Sequence, residues 1–228
     1  MKCVILAAGA GTRLLPLTKE IPKPLIQVSG KPILDYIVEA LPQEIDGLIL
    51  VVSYLQEKVR EHCGDAFKGL PVQYVVQDEP RGTGHALMQC KELLSGKFLV
   101  MLGDDIHGKE ALSKMIVHDL ALLTAPSEHP ERFGVVTLKD DGTLGYITEK
   151  PEHPDSNLVS TGVMVLDERI FIQEMKQSET HKEYFLPDMV KTLAEEQTMH
   201  VERQPIWIPI NRPEDIPQAE AEVARLHI

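Results

Sequence analysis

Lys2-Cys3-Val4-Ile5-Leu6 runs without interruption into Ala7-Ala8-Gly9-Ala10-Gly11-Thr12-Arg13-Leu14. A short, nearly all-apolar run of this kind suits a strand buried on both faces, as in a parallel sheet. The small residues behind it let backbone N–H groups approach a phosphate or a base closely. In open α/β sheets, ligands lie at the carboxyl ends of the strands, which is where this loop falls. Two familiar phosphate loops are excluded in detail. The dinucleotide fingerprint requires a third glycine where Leu14 stands, and the Walker pattern requires a Gly-Lys-Ser/Thr that is absent.

Outward from this stretch, apolar runs alternate with helical patterns. Strands are expected at 48–53, 72–77 and 98–102, and helices at 33–40, 56–63, 83–94 and 109–123. After Pro130 the rhythm changes, with strands at 133–138 and 144–149 flanking the turn Lys139-Asp140-Asp141-Gly142-Thr143, which predicts a hairpin. Further strands are expected at 159–166 and 199–208, with helices at 168–175, 187–196 and 213–226. The expected fold class is α/β, a mostly parallel doubly wound, Rossmann-like sheet in three αβα layers with an inserted β-rich part. Residues 1–228 read as a single domain, with a first half to about 130 and a second half from about 131.

The chain has 228 residues, 43% of them hydrophobic, and a formal net charge of −12. So acidic a surface disfavours nucleic-acid polymers and anionic membranes, whose recognition needs a basic face. No apolar run approaches the roughly 18 residues that span a bilayer. The first strand leaves no room for a signal peptide, and Cys3, Cys63 and Cys90 are too scattered for a disulfide framework, so a cytoplasmic protein is expected. Any phosphate must then be held by a few placed cations. Pro16, Pro22 and Pro24 stiffen the segment after the glycine loop and preclude a regular helix, which would hold Arg13 and Lys23 toward one anion. Asp104 closes the apolar run Phe98–Leu102, and a carboxylate at such a strand end suits Mg²⁺.

Taken together, Leu6–Leu14, Pro22-Lys23-Pro24-Leu25, Gly30-Lys31-Pro32-Ile33, Gln77–Ala86, Leu102-Gly103-Asp104-Asp105, Glu149-Lys150-Pro151 and Thr161-Gly162 resemble the sugar-phosphate nucleotidylyltransferases. That family includes the glucose-1-phosphate thymidylyl- and uridylyltransferases and the N-acetylglucosamine-1-phosphate uridylyltransferase domain. The resemblance spans nearly the whole chain in order. It implies Mg²⁺-dependent transfer of a nucleotidyl group from a nucleoside triphosphate to a sugar 1-phosphate, releasing pyrophosphate. It assigns catalytic charge neutralisation to Arg13 and Lys23, and the nucleotide to Leu6, Ala8, Gly9, Gly11, Thr12, Gln77, Gly82 and Thr83. Gln77 can pair with both a donor and an acceptor of a pyrimidine edge, favouring UTP or dTTP, and Gly82 would let the backbone reach that base. The sugar phosphate falls to Gly134, Glu149, Lys150 and Ser160, and the metal to Asp104, with Asp105 behind it.

Two departures stand out. The family's usual asparagine before the Thr-Gly pair is Ser160, and a second metal-binding aspartate after the tryptophan is replaced by Pro209. Asn211 lines up with a metal-binding asparagine of the N-acetylglucosamine-1-phosphate enzymes and is carried over as a second ligand. His181 and Lys182 align loosely with a further cation of the thymidylyltransferases. Relatives are often homo-oligomers. Pro209 motivates the alternative of a non-catalytic nucleotide-sugar-binding regulator; a cytidylyl- or guanylyltransferase acting on another phosphorylated alcohol is a second alternative.

Overall fold

The computed structural model describes residues 1–179 and 182–228. The first half alternates β1 (Lys2–Leu6), a minor ribbon of β2 (Gln27–Val28) and β3 (Lys31–Pro32), α1 (Ile33–Glu39), β4 (Gly47–Val52) and α2 (Gln56–Cys63). A short β5 (Ala66–Phe67) leads into β6 (Leu70–Val76), α3 (Thr83–Met88), β7 (Phe98–Leu102), β8 (Asp105–His107) and α4 (Lys109–Met115). The second half holds β9 (Ala121–Pro126), the hairpin β10 (Gly134–Leu138) and β11 (Leu144–Glu149), and the long β12 (Leu158–Leu166). It closes with α5 (Leu186–Glu196), β13 (His200–Arg203), β14 (Trp207–Pro209) and α6 (Asp215–Leu226).

The main sheet runs β11-β10-β12-β7-β1-β4-β6-β5, with β9 also paired to β12 and β13 to β9. Strands β7, β1, β4 and β6 are parallel, and β12 joins β7 antiparallel through Met164–Leu166. Alternation along β1 sorts the helices into two layers. Cys3 and Ile5 pack in one apolar cluster with residues of α1, α2, α4 and α6; Val4 and Leu6 pack in the other with residues of α3 and α5. Each strand residue thus meets a helix on whichever face it points to, which is why the strands read as continuous apolar runs. The α/β sandwich with a β-rich second half is the arrangement the sequence predicts.

Four segments differ. The helix expected over 109–123 ends at Met115, and Ala121–Pro126 is a strand held between β12 and β13. Alanine and leucine favour helix, yet Ala121–Ala125 are all buried, and an unbroken apolar run carries no period to separate the two. The strand expected over 199–208 is two, β13 on β9 and β14 on β8, broken at Gln204-Pro205-Ile206, where proline offers no ladder N–H. The expected helices at 83–94 and 168–175 shorten, one to α3 plus a 3-10 turn at Lys91–Leu93, the other to a 3-10 turn at Glu168–Ile172.

All three cysteines are free and buried, and burial pushes the Cys63 and Cys90 thiols up to about 12. No helix among the described residues is long and apolar enough to cross a membrane.

Burial pushes His107 down to about 4, with the Gln204 carboxamide 3.1 Å from its Nδ1 and no partner on Nε2 among the described residues. An unfolded chain takes up this proton near 6.5, so stability falls as the pH drops from about 6.5 toward 4. The expected loss from this group is about 2 kcal/mol between pH 7 and pH 5. In urea titrations His107→Gln should lose correspondingly less than the parent over that interval; equal losses would contradict the assignment.

Candidate active site

The carboxyl ends of β1, β6 and β7 open on a cleft of about 500 Å³ whose far wall is β10, β11 and β12. Because β7 lies between β1 and β12 in the sheet, Asp104, two residues beyond its end, stands between the two walls. Leu6, Ala8, Gly9, Gly11, Thr12, Arg13, Gln77, Gly82 and Thr83 line one side; Gly134, Glu149, Lys150 and Ser160 line the other, with Asp104 among the lining residues. Lys23 and Asn211 are the predicted residues absent from the wall, and each reaches it through a partner.

Lys23 is buried beneath the glycine loop, 8% exposed, and its Nζ donates to Asp104 Oδ2 at 2.6 Å. The three prolines break the loop into successive 3-10 turns at Thr12–Leu14, Leu17–Lys19 and Lys23–Leu25, so there is no regular helix here and Lys23 is brought under Gly11. The other Asp104 oxygen, Oδ1, is buried without a hydrogen-bond partner among the described residues. Arg13 is exposed, and its guanidinium donates to Asn211 Oδ1 at 2.9 Å.

Behind Asp104, Asp105 turns inward. Its carboxylate accepts the Trp207 indole N–H at 2.8 Å. Burial and the neighbouring Asp104 charge push it up to about 7, against the opposing pull of Lys23 and Trp207. The Trp207 ring in turn packs edgewise on Phe133, centroids 4.9 Å apart. On the far wall, Lys150 adopts φ +44° with its N–H donating to Phe133 O at 3.0 Å, and its Nζ lies 3.1 Å from Glu149 Oε1. The Ser160 hydroxyl accepts from the Gly162 N–H at 3.3 Å.

Gln77 is almost fully buried, its amide donating to Gly82 O at 3.2 Å and set 2.9 Å from His85 Nδ1. The room left by the missing side chain at Gly82 is filled by the chain itself. A Cβ there would stand 2.6 Å from Tyr184 O, and φ is +99°. Residues 183–187 are buttoned to this loop, with Tyr184 N donating to Arg81 O, Gly84 N to Tyr184 O and Leu186 N to Thr83 Oγ1. Gly82→Ala is therefore expected to cost more than about 2 kcal/mol, since this backbone region is essentially reserved for glycine. An unchanged urea midpoint would contradict that packing.

The same buttoning brings Glu183, Phe185, Leu186 and Pro187 into the wall, none of which carries a motif. Among the neighbouring residues, Gly162 also lines the cleft; Lys182 is described but does not line it, and His181 lies outside the described residues.

No cluster of three His, Cys, Asp or Glu side chains able to hold a metal occurs among the described residues. Mg²⁺, however, is usually held by one or two carboxylates together with substrate phosphates. A partly exposed carboxylate with one unpartnered oxygen at the cleft fits that kind of ion.

Residues 2–225 match the family model for nucleotidyl transferases. A bifunctional protein GlmU of Methanocaldococcus jannaschii is 37% identical over 223 residues, which make up 96% of this chain and 53% of the relative. This chain thus spans about half the length of that relative. A UTP–glucose-1-phosphate uridylyltransferase AglF of Haloferax volcanii is 34% identical over 96% of this chain and 95% of its own. Among solved structures, a UDP-glucose pyrophosphorylase complexed with UDP-glucose superposes with a TM-score of 0.87 at 23% identity, covering 99% of this chain and 98% of that one, a likeness of fold. The chain belongs to the nucleotidyl transferase family.

Proposed function

We propose that this protein transfers a nucleotidyl group from a nucleoside triphosphate, UTP or dTTP in preference, to a sugar 1-phosphate of the glucose or N-acetylglucosamine type. The products are a nucleoside diphosphate sugar and pyrophosphate. The observation that carries the reading is the single cleft with a glycine loop and Gln77 on one wall, Glu149, Lys150 and Ser160 on the other, and Asp104 at the strand end between them. Residues to about 130 would hold the nucleotide, and those from about 131 the sugar.

A phosphate oxygen of the sugar 1-phosphate attacks the α-phosphorus in line, and the bond to the bridging oxygen breaks, sending its electron pair out with pyrophosphate. The attacking phosphate is already anionic, so the protein supplies no base and forms no covalent intermediate. Its contribution is orientation and charge. Arg13 faces the triphosphate, Lys23 adds its positive charge from beneath the glycine loop through Asp104, and Lys150 holds the sugar phosphate. Glu149 accepts hydrogen bonds from the sugar hydroxyls, and the Ser160 hydroxyl is a further polar group on that wall. Asp104 would hold Mg²⁺, which when bound neutralises phosphate charge and orients the oxygens.

Incubating the protein and Mg²⁺ with each of UTP, dTTP, CTP and GTP against glucose, N-acetylglucosamine and galactose 1-phosphates, with pyrophosphate as readout, tests this. Turnover concentrated in the UTP and dTTP rows is expected. Nucleotide-sugar binding without turnover would instead support a regulator, and turnover confined to CTP or GTP would move the substrate class.

A further inference from the structure

The side chain of Asn211 reaches back across the whole sequence to Arg13, whose guanidinium donates to its Oδ1 at 2.9 Å. Among the described residues, no carboxylate pairs with Arg13, and the Asn211 oxygen is its hydrogen-bond partner. The backbone that carries Asn211 is fixed at both ends. Upstream, β14 pairs with β8, and the Trp207 N–H is held by the buried Asp105 carboxylate at 2.8 Å. Downstream, the Asn211 and Arg212 N–H groups both donate to Asp215 Oδ2, at 2.7 and 2.8 Å, at the start of α6. Pro209, at the register position opposite Asp105, lends the segment a fixed φ.

We propose that Asn211 is a positioning residue for Arg13 and not a metal ligand. An exposed arginine samples many rotamers, and ordering it on binding costs free energy that preorganisation removes. A carboxylate at 211 would order the guanidinium equally well but neutralise it, in a protein whose net charge is already −12. A neutral amide orients the cation and leaves its full charge for the incoming anion. This choice explains how the chain manages without the family's carboxylate at 209: the segment carries no second negative charge toward the polyphosphate, and the charge it does not add need not be neutralised.

The inference rests on the reading that the cleft takes a nucleoside triphosphate, and the deciding experiment is read by binding, so that it does not depend on which sugar is used. UTP affinity is measured by calorimetry in the presence of Mn²⁺, for the parent, Asn211→Ala, Arg13→Ala and the double variant. Mn²⁺ occupancy of each UTP complex is followed by electron paramagnetic resonance. Asn211→Ala is expected to weaken UTP binding about tenfold, the scale of one charge-assisted contact, and to change affinity by less than about twofold when Arg13 is already alanine. Mn²⁺ occupancy at matched UTP saturation stays as in the parent. Asn211→Asp keeps the contact with Arg13, so it guards against a folding failure in the alanine variant. Positioning predicts weaker UTP binding for it, because the arginine charge is cancelled. A metal ligand predicts tighter Mn²⁺ binding, because an amide has become a carboxylate. Multiplicative losses in the double variant, lost Mn²⁺ in Asn211→Ala, or tighter Mn²⁺ in Asn211→Asp would overturn the proposal. If instead the parent binds UTP and this pattern holds but no sugar 1-phosphate is turned over, the reading of function fails and the role of Asn211 stands.

Discussion

Asp104→Asn is expected to lower the rate of pyrophosphate release by about a thousandfold, a magnitude typical of losing one preorganised electrostatic contact in a phosphoryl-transfer site. The substitution is nearly isosteric. Lys23 can still donate to the amide oxygen, as it now does to Oδ2 at 2.6 Å, so the strand end and the loop above it should keep their places. What disappears is the charge on a group whose second oxygen has no partner among the described residues. Because Lys23 is buried, removing its charged partner costs some stability as well. Circular dichroism at the assay temperature separates the two effects: a folded variant with a thousandfold slower rate is the expected result, and turnover within tenfold of the parent contradicts it.

Lys23→Met should act in opposite directions on two measurements. On the proposed function, turnover is expected to fall by about a hundredfold or more, since the cation behind Asp104 is gone while the aliphatic stem still fills its buried path. In the absence of nucleotide, however, the ammonium and a divalent ion compete for the same carboxylate. With Lys23 removed, Mn²⁺ should bind the nucleotide-free protein about tenfold more tightly, a modest share of the attraction between opposite charges at this separation. On that expectation, the Lys23–Asp104 ion pair is the arrangement of the nucleotide-free protein and gives way when a divalent ion binds. Unchanged or weaker Mn²⁺ binding in the variant would contradict it, whatever happens to the rate.

Much of this site is legible in the sequence because its parts are local. The run Lys2–Leu6 must be a buried strand, the loop after it must lie at that strand's carboxyl end, and Asp104 ends Phe98–Leu102 in the same way. Three prolines near Lys23 exclude a helix without any knowledge of the fold. The parts that were not legible depend on contacts between distant segments. Nothing in the order Glu183-Tyr184-Phe185 announces that it buttons onto residues 81–84, and so the packing of Tyr184 against the open side of Gly82 cannot be read from the sequence. Alignment with relatives offers Asn211 as a metal ligand, while the Arg13 contact 198 positions away is visible only in three dimensions. The strand at Ala121–Pro126 was hidden for another reason, since helix-favouring residues were overridden by pairing on both edges with β12 and β13.

The central claim is that one cleft joins a nucleoside triphosphate to a sugar 1-phosphate without help from a protein nucleophile. The most direct test is ³¹P NMR of the protein with Mg²⁺, UTP and glucose or N-acetylglucosamine 1-phosphate, each substrate also supplied alone. The account predicts that a nucleoside diphosphate sugar and pyrophosphate form in equal amounts, and only when both substrates are present. Pyrophosphate formed from UTP alone, or both substrates bound and unchanged, would contradict it.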